Sequence, residues 1–359
     1  MNTAPEISVI MSVYNGEAYL EEAIESVCRQ TFKNWELIII NDCSTDKTAE
    51  ILSGYALKDS RIKVHTNEIN LKLPTSLNKA VSMAKGKYIA RMDADDICLP
   101  ERLEKQYKFM EDNKDVSLSS CRFMTLKNGV VSSGGCGGRC DNESVRALLF
   151  VTNPILHPGV IAKAESMKNL KYDQSLTCTE DLEMWVRFAK NNLKMEIMSE
   201  YLMIYRLHDK QITGTTLERQ HKEVLKIEKD YFSQFSNGLC KEYEEFYING
   251  IYFRDNADVK SFCDFYKWLR KENKKTKFFR RNALNYAMFE ILAEYKRNGL
   301  SKKDLVKAML CFNLPFLIKE FIRRKKIGRR DGMKCIEAAR KIGLKQSGGT
   351  TEFPVFSEC

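Results

Sequence analysis

The chain has 359 residues, 43% of them hydrophobic and 30% charged, a balance that excludes a disordered or fibrous protein and leaves room for one large domain plus a smaller one. Its net charge of +10 is unevenly spread: residues 267–345 carry 24 Lys and Arg against 7 Asp and Glu, which leaves residues 1–266 at about −5. A nucleic-acid enzyme would place cations around its acidic site, so this separation argues against a nucleic-acid partner.

The opening residues, MNTAPEISVIMSVYNG, hold no basic segment leading into a long apolar run, so no secretory signal is expected and the expected compartment is the cytosol. Residues 7–13 (ISVIMSV) and 36–40 (ELIII) are apolar runs with β-branched side chains. Each is followed by turn residues and then a helical pattern, EAYLEEAIESVCRQ and STDKTAEILSGYA. That alternation predicts a parallel, doubly wound sheet. Residues 61–65 and 87–92 continue it around a helix over 73–84, and 116–121 adds a further strand. No G-x-G-x-x-G follows the first strand, which argues against a dinucleotide-dependent oxidoreductase. LPERLEKQYKFM starts a helix with Pro100 in its first turn, where a missing N–H costs nothing. Residues 129–139 hold five glycines and read as a loop or hairpin, and a helix resumes near Asn142. TEDLEMWVRFAKNN reads as an amphipathic helix with Thr179 as its N-cap and Glu180 and Asp181 in its first turn. Strand signals stop near Thr216. The expected organisation is therefore an α/β domain over 1–218, a basic helical region over 219–346 and a loose tail over 347–359. The twelve cysteines show no zinc-ligand spacing; the nearest pair, Cys136 and Cys140, has no second pair to match, and all are read as reduced thiols.

Chemistry concentrates where strands end. Tyr14 and Asn15 close the first strand, Asp42 the second, and RMDADD (Arg91, Asp93, Asp95, Asp96) a later one, so all three stretches line one edge of the sheet, where ligands bind in open α/β folds. A calcium loop of the EF-hand type is excluded, because Ile97 and Cys98 stand where an oxygen ligand and a glycine are required. In an extended stretch Asp93 and Asp95 would point to the same side. Arg91 would pair either with a phosphate or with the neighbouring acids.

These stretches, together with HPG (157–159), TEDLEMW (179–185) and YRLHDKQIT (205–213), resemble the family 2 glycosyltransferases, nucleotide-sugar-dependent enzymes of the GT-A fold, from about Ile7 to Thr213. The resemblance implies a GT-A-type, mixed or parallel nucleotide-binding sheet flanked by helices. It implies donor-nucleotide contacts from Val13, Tyr14, Asn15, Asp42, Arg91 and Asp93, with Tyr14 stacking on the base unless it is core packing. A divalent metal, Mn2+ or Mg2+, is implied on Asp95 and Asp93 with support from Asp96. His208 is either a further metal ligand or an ordinary surface histidine. Carboxylates at a helix N-terminus often only complement the dipole; the resemblance instead makes Asp181 the general base that deprotonates the acceptor, with Glu180 orienting donor or acceptor groups. The metal would offset the charge that builds on a departing nucleoside diphosphate. The Gln-x-x-Arg-Trp stretch of processive synthases is missing, which favours one sugar added per encounter.

From Leu305 the chain reads LVKAMLCFNLPFLIKEFIRRKKIGRR, whose longest charge-free run, 308–318, is too short to span a bilayer. Its apolar side either packs on the catalytic domain or lies on an anionic membrane surface, which would make the protein peripheral on the inner face of the cell membrane. The expected function is inverting sugar transfer from a nucleotide-diphosphate sugar, with UDP the expected base carrier, to a carbohydrate or lipid-linked acceptor in surface polysaccharide or glycan synthesis. The rivals are a sugar-phosphate nucleotidyltransferase, whose glycine-rich activating loop is missing, and a basic lipid- or nucleic-acid-binding relative without catalysis.

Overall fold

A computed structural model describes residues 4–134, 139–176, 178–208, 217–235, 241–252, 258–312, 315–320 and 322–323. The expected tail, the end of the basic region, residues 135–138 with Cys136, and residues 209–213 of YRLHDKQIT lie outside the described residues.

Among the described residues nine strands form one mixed sheet: β1 (Ile7–Val13), β2 (Trp35–Asn41), β3 (Ile62–Thr66), β4 (Tyr88–Arg91), β5 (Ile97–Cys98), β6 (Val116–Lys127), β7 (Val130–Gly134), β8 (Ile161–Lys163) and β9 (Lys194–Arg206). Their spatial order is β3-β2-β1-β4-β8-β6-β9-β5, with β7 paired to β6. The first four are parallel, and β8 is antiparallel to both β4 and β6. Side chains alternate across the parallel half as strand geometry requires: Ile10, Ile38 and Ile40 enter one core, while Val9, Met11, Leu37 and Ile39 enter the other.

Helices cover both faces. On the side of Val9 lie α1 (Leu20–Cys28), α2 (Thr48–Lys58) and, further along the chain, α4 (Arg102–Asp112), contributing Ile24, Val27, Leu52 and Leu103. On the other side α3 (Leu73–Met83), α5 (Asn142–Leu149), α6 (Ala164–Leu170) and α7 (Glu180–Lys190) join α8 (Leu217–Phe235), α9 (Val259–Thr276), α10 (Arg281–Arg297) and α11 (Lys302–Met309) in one core. Phe150, just past α5, ties the halves together. Its ring lies 4.5 Å from Tyr231 and from Phe232, and 4.9 Å from Phe279. Leu305, Ala308, Phe312 and Leu317 are buried in this core, so the apolar side of the basic end packs inward. Val306, Leu310, Ile318 and Ile322 remain exposed.

The structure departs from the sequence reading in several places. Pro100 precedes the N-cap Glu101 of α4 instead of sitting in its first turn. The strand expected over 116–121 runs on to Lys127 and turns through Asn128 (φ 50°) and Gly129 (φ 79°) into β7, because an Asn-Gly pair supplies the two positive φ angles of a tight hairpin. β9 was not expected: Glu196 and Glu200 interrupt its apolar run, yet it pairs in parallel with β6 and carries the chain to His208. None of the described helices is long and apolar enough to cross a membrane.

Candidate active site

The ends of β1, β2 and β4 fall side by side, as parallel pairing in register demands: Val13 is opposite Asn41, and Ile10 is opposite Arg91. Beyond β1 the chain enters a left-handed turn at Asn15 (φ 52°), a conformation Asn tolerates better than most residues. The Asn15 carboxamide oxygen accepts from Thr45 N–H at 2.8 Å, and Asn15 N–H donates to Ser44 Oγ at 3.0 Å. Asn15 thus ties the loop after β1 to the loop after β2. Tyr14 between them is 53% exposed, which overturns the core-packing alternative and leaves its ring on the wall of a cavity. Asp42 is buried, its Oδ1 accepting from Asn67 Nδ2 and from Leu71 N–H, both at 2.8 Å.

The acidic stretch after β4 is not extended. The chain turns at Ala94 and Asp95, so the two-residue alternation does not apply, and the turn gathers all three carboxylates instead: one oxygen each of Asp93, Asp95 and Asp96 lies within 4.8 Å of the others. Arg91 is buried and forms an ion pair with Asp93, the local-acid one of its two expected arrangements. Asp96 is fully buried; its Oδ1 accepts from Arg206 N–H at 2.9 Å, while Oδ2 has no hydrogen-bond partner among the described residues. β9 also delivers His208, whose Nε2 lies 3.0 Å from Asp95 Oδ2. Burial pushes the Asp93 carboxyl up, with Asp95 adding to it and Arg91 pulling it down. Burial and the charges of Asp93 and Asp95 hold Asp96 well above the usual carboxylate range. Crowded hard oxygen donors with an orphaned buried oxygen are the donor set a divalent cation such as Mg2+ or Mn2+ takes, so these residues fit such an ion.

The second group of acids comes from α7. Thr179 occupies the N-cap position but does not cap; its hydroxyl donates to Glu223 Oε2 of α8 at 2.8 Å. Asp181 Oδ1 accepts from Leu182 N–H and Oδ2 from Asn153 Nδ2, both at 2.7 Å. Burial raises the Asp181 carboxyl, and those two donors oppose the rise. Glu180 is 5% exposed; its Oε1 stands 3.9 Å from His157 Nδ1, and Oε2 has no hydrogen-bond partner among the described residues. Burial, and then the charge of Asp181, push Glu180 up to about 7. His157 is buried against Tyr172, Nε2 to hydroxyl 2.8 Å, and burial keeps its imidazole neutral.

Both groups open onto one cavity of about 1490 Å³. Of the residues singled out from sequence, all except the buried Asp96 line it. Arg219 and Val224 of α8 and Glu290 and Glu294 of α10 form part of its wall, so the helical region helps to shape the site. A single small ligand typically takes roughly 300–1,000 Å³, and this volume has room for a donor and an acceptor together. Asn153, Tyr172 and Arg206 were not singled out in the sequence; their partners Asp181, His157 and Asp96 are distant from them in the chain, and only the fold brings them together.

The profile of Glycosyl transferase family 2 matches residues 8–132. An uncharacterized glycosyltransferase of Methanocaldococcus jannaschii is 36% identical over 252 residues, covering 69% of this chain and 84% of that protein. The O-antigen biosynthesis glycosyltransferase WbnJ of Escherichia coli is 33% identical over 217 residues, 59% of this chain and 83% of its own. Among solved structures, S. aureus TarS 1-349 in complex with UDP-GlcNAc superposes with a TM-score of 0.56 at 17% identity, covering 83% of this chain and 93% of that one, a likeness of fold. With its mixed sheet, its strand-end acids and these relatives, the chain belongs to glycosyltransferase family 2 and has the GT-A fold.

Proposed function

We propose that the protein moves a sugar from a UDP-sugar to a hydroxyl of a carbohydrate or lipid-linked acceptor in surface polysaccharide or glycan synthesis, with inversion at the anomeric carbon. One observation carries the reading: two acidic groups with different environments, Asp93 and Asp95 backed by the buried Asp96, and Glu180 and Asp181, open onto a single cavity large enough for both substrates. The O-antigen role of WbnJ and the UDP-GlcNAc in the TarS complex support the choice of product and donor.

Tyr14 and Asp42 bind the nucleoside, with the Tyr14 ring against the base, and Val13, Asn15 and the Arg91–Asp93 pair shape the rest of the donor wall. Asp93, Asp95 and Asp96, with His208 beside them, hold a divalent cation, which when bound offsets negative charge on the diphosphate. Asp181 takes the proton of the acceptor hydroxyl as that oxygen bonds to the anomeric carbon. The bond from that carbon to the diphosphate oxygen breaks, and its electron pair leaves with the nucleoside diphosphate. The Leu182 and Asn153 donors favour the ionised form a base requires. Glu180, its carboxyl raised by burial and by the charge of Asp181, positions a substrate hydroxyl. Exposed Val306, Leu310, Ile318 and Ile322 beside Lys302, Lys303, Lys307 and Lys319 support a peripheral position on an anionic membrane surface.

Incubation of the full chain with a panel of nucleotide sugars, with and without Mn2+ or Mg2+, tests the donor and metal parts. Metal-stimulated release of UDP from one or more UDP-sugars is expected; release of pyrophosphate from a nucleoside triphosphate and a sugar phosphate would overturn the reading.

A further inference from the structure

The loop TNPILHPG, between α5 and β8, carries an asparagine that the proposed mechanism needs but that no acidic motif announces. Asn153 Nδ2 donates to Asp181 Oδ2 at 2.7 Å, and Ile155 N–H donates to Asn153 Oδ1 at 3.3 Å. The amide orientation is therefore fixed by chemistry. A flip would set a carbonyl oxygen against the carboxylate and an NH2 against a backbone N–H, two repulsive contacts in place of two hydrogen bonds. Pro154 restricts the backbone of Asn153 to extended conformations, and Ile155 is buried, which anchors the short turn on its far side.

We propose that Asn153 is a positioning residue for the reaction, holding one oxygen of Asp181 while Leu182 N–H holds the other. The inference rests on the reading of Asp181 as the base. With both oxygens tethered, the carboxylate plane cannot rotate about its Cβ–Cγ bond, and each oxygen keeps a lone pair for an incoming hydroxyl. The charged and titratable groups facing Asp181 are Glu180 on its own helix, Arg91 and Asp93 at the end of β4, and Tyr172 from the loop before α7. Among these only Arg91 favours the ionised form, and it is already engaged by Asp93. The Asn153 amide is thus a principal support for a charged Asp181, and its loss raises the pH at which Asp181 ionises.

The test uses full-length protein carrying 13C in the aspartate carboxyl carbons, with the Asp181 resonance assigned by its loss in Asp181→Asn. In Asn153→Ala, and in the near-isosteric Asn153→Leu, which removes the donor without adding a charge, the midpoint of the Asp181 titration rises by about one pH unit or more. The acidic limb of UDP-GlcNAc hydrolysis with Mn2+ moves alkaline by the same amount. A residue that only supported the fold would lower the rate equally at every pH and leave the midpoint in place. An unchanged midpoint in both folded variants overturns the positioning role. A shifted midpoint together with full hydrolysis by Asp181→Asn overturns the base assignment instead, and the two failures are told apart.

Discussion

Asp96 sits where stability and function should pull in opposite directions. Its carboxyl is fully buried, one oxygen lacks a hydrogen-bond partner among the described residues, and carboxylate oxygens of Asp93 and Asp95 lie within 4.8 Å. Two unit charges at that separation repel by about 3 kcal/mol at an effective dielectric constant of about 20. Arg91 offsets part of this for Asp93. Asp96→Asn keeps the oxygen that accepts from Arg206 N–H and places an NH2 group beside two carboxylates. The metal-free variant should therefore be more stable than the parent by about 1–3 kcal/mol near neutral pH, a rise in Tm of a few degrees. The sign of the pH dependence follows from the raised carboxyl: the folded state holds a proton that the unfolded chain releases, so parent stability falls as pH rises above the ordinary aspartate range. The variant's advantage should accordingly shrink towards pH 4. Adding Mn2+ should reverse the order, because binding to the folded state raises Tm by mass action and the variant has lost a ligand charge. Thermal unfolding at pH 4, 6 and 8, with and without Mn2+, reads all of this. A metal-free variant less stable than the parent at pH 8, with an undiminished Mn2+ response, would refute the electrostatic argument.

Phe150→Ala should cost about 3–5 kcal/mol in denaturant unfolding, since the ring is fully buried among aromatic side chains of α8 and Phe279 just before α10, and Phe150→Leu should cost distinctly less; equal and small losses would mean that the helical region is not docked as described. A double variant Leu310→Ser, Ile318→Ser should lose sedimentation with phosphatidylglycerol vesicles while keeping its Tm, because both side chains are more than half exposed; unchanged pelleting, or no pelleting of the parent, would remove the membrane reading. Tyr14→Ala should weaken UDP binding by roughly tenfold, about the worth of one stacked base, with no loss of Tm; calorimetry showing equal affinity would place the nucleobase elsewhere.

Much of the site was legible because its chemistry is local. Asp42 and Asp93 to Asp96 follow apolar runs directly, so strand ends could be read from sequence and parallel pairing then placed them together. The turn at Ala94–Asp95 was not legible, since nothing in RMDADD distinguishes an extended stretch from a turn until β9 arrives to accept the burial of Asp96. β9 itself was hidden by Glu196 and Glu200, whose charges mask a strand that is largely buried on its remaining positions. Asn153 and Tyr172 carry no local signal at all. Their roles depend on long-range contacts, to Asp181 and to His157, that only the packed loop creates. Thr179 shows the opposite error: a good capping residue by type, drawn away by a tertiary partner, Glu223.

The central claim is the division of labour between the two acidic groups, and Asp181→Asn tests it most directly. The substitution keeps size and an oxygen for Leu182 N–H but removes the proton acceptor. Measured on the same preparation, sugar transfer or donor hydrolysis should fall by about 10² to 10⁴ while the dissociation constant for UDP and Mn2+ changes less than about threefold. A fall of less than about tenfold, or a donor affinity that collapses with the rate, would contradict the account, the first by removing Asp181 from proton transfer and the second by placing it in the nucleotide or metal site.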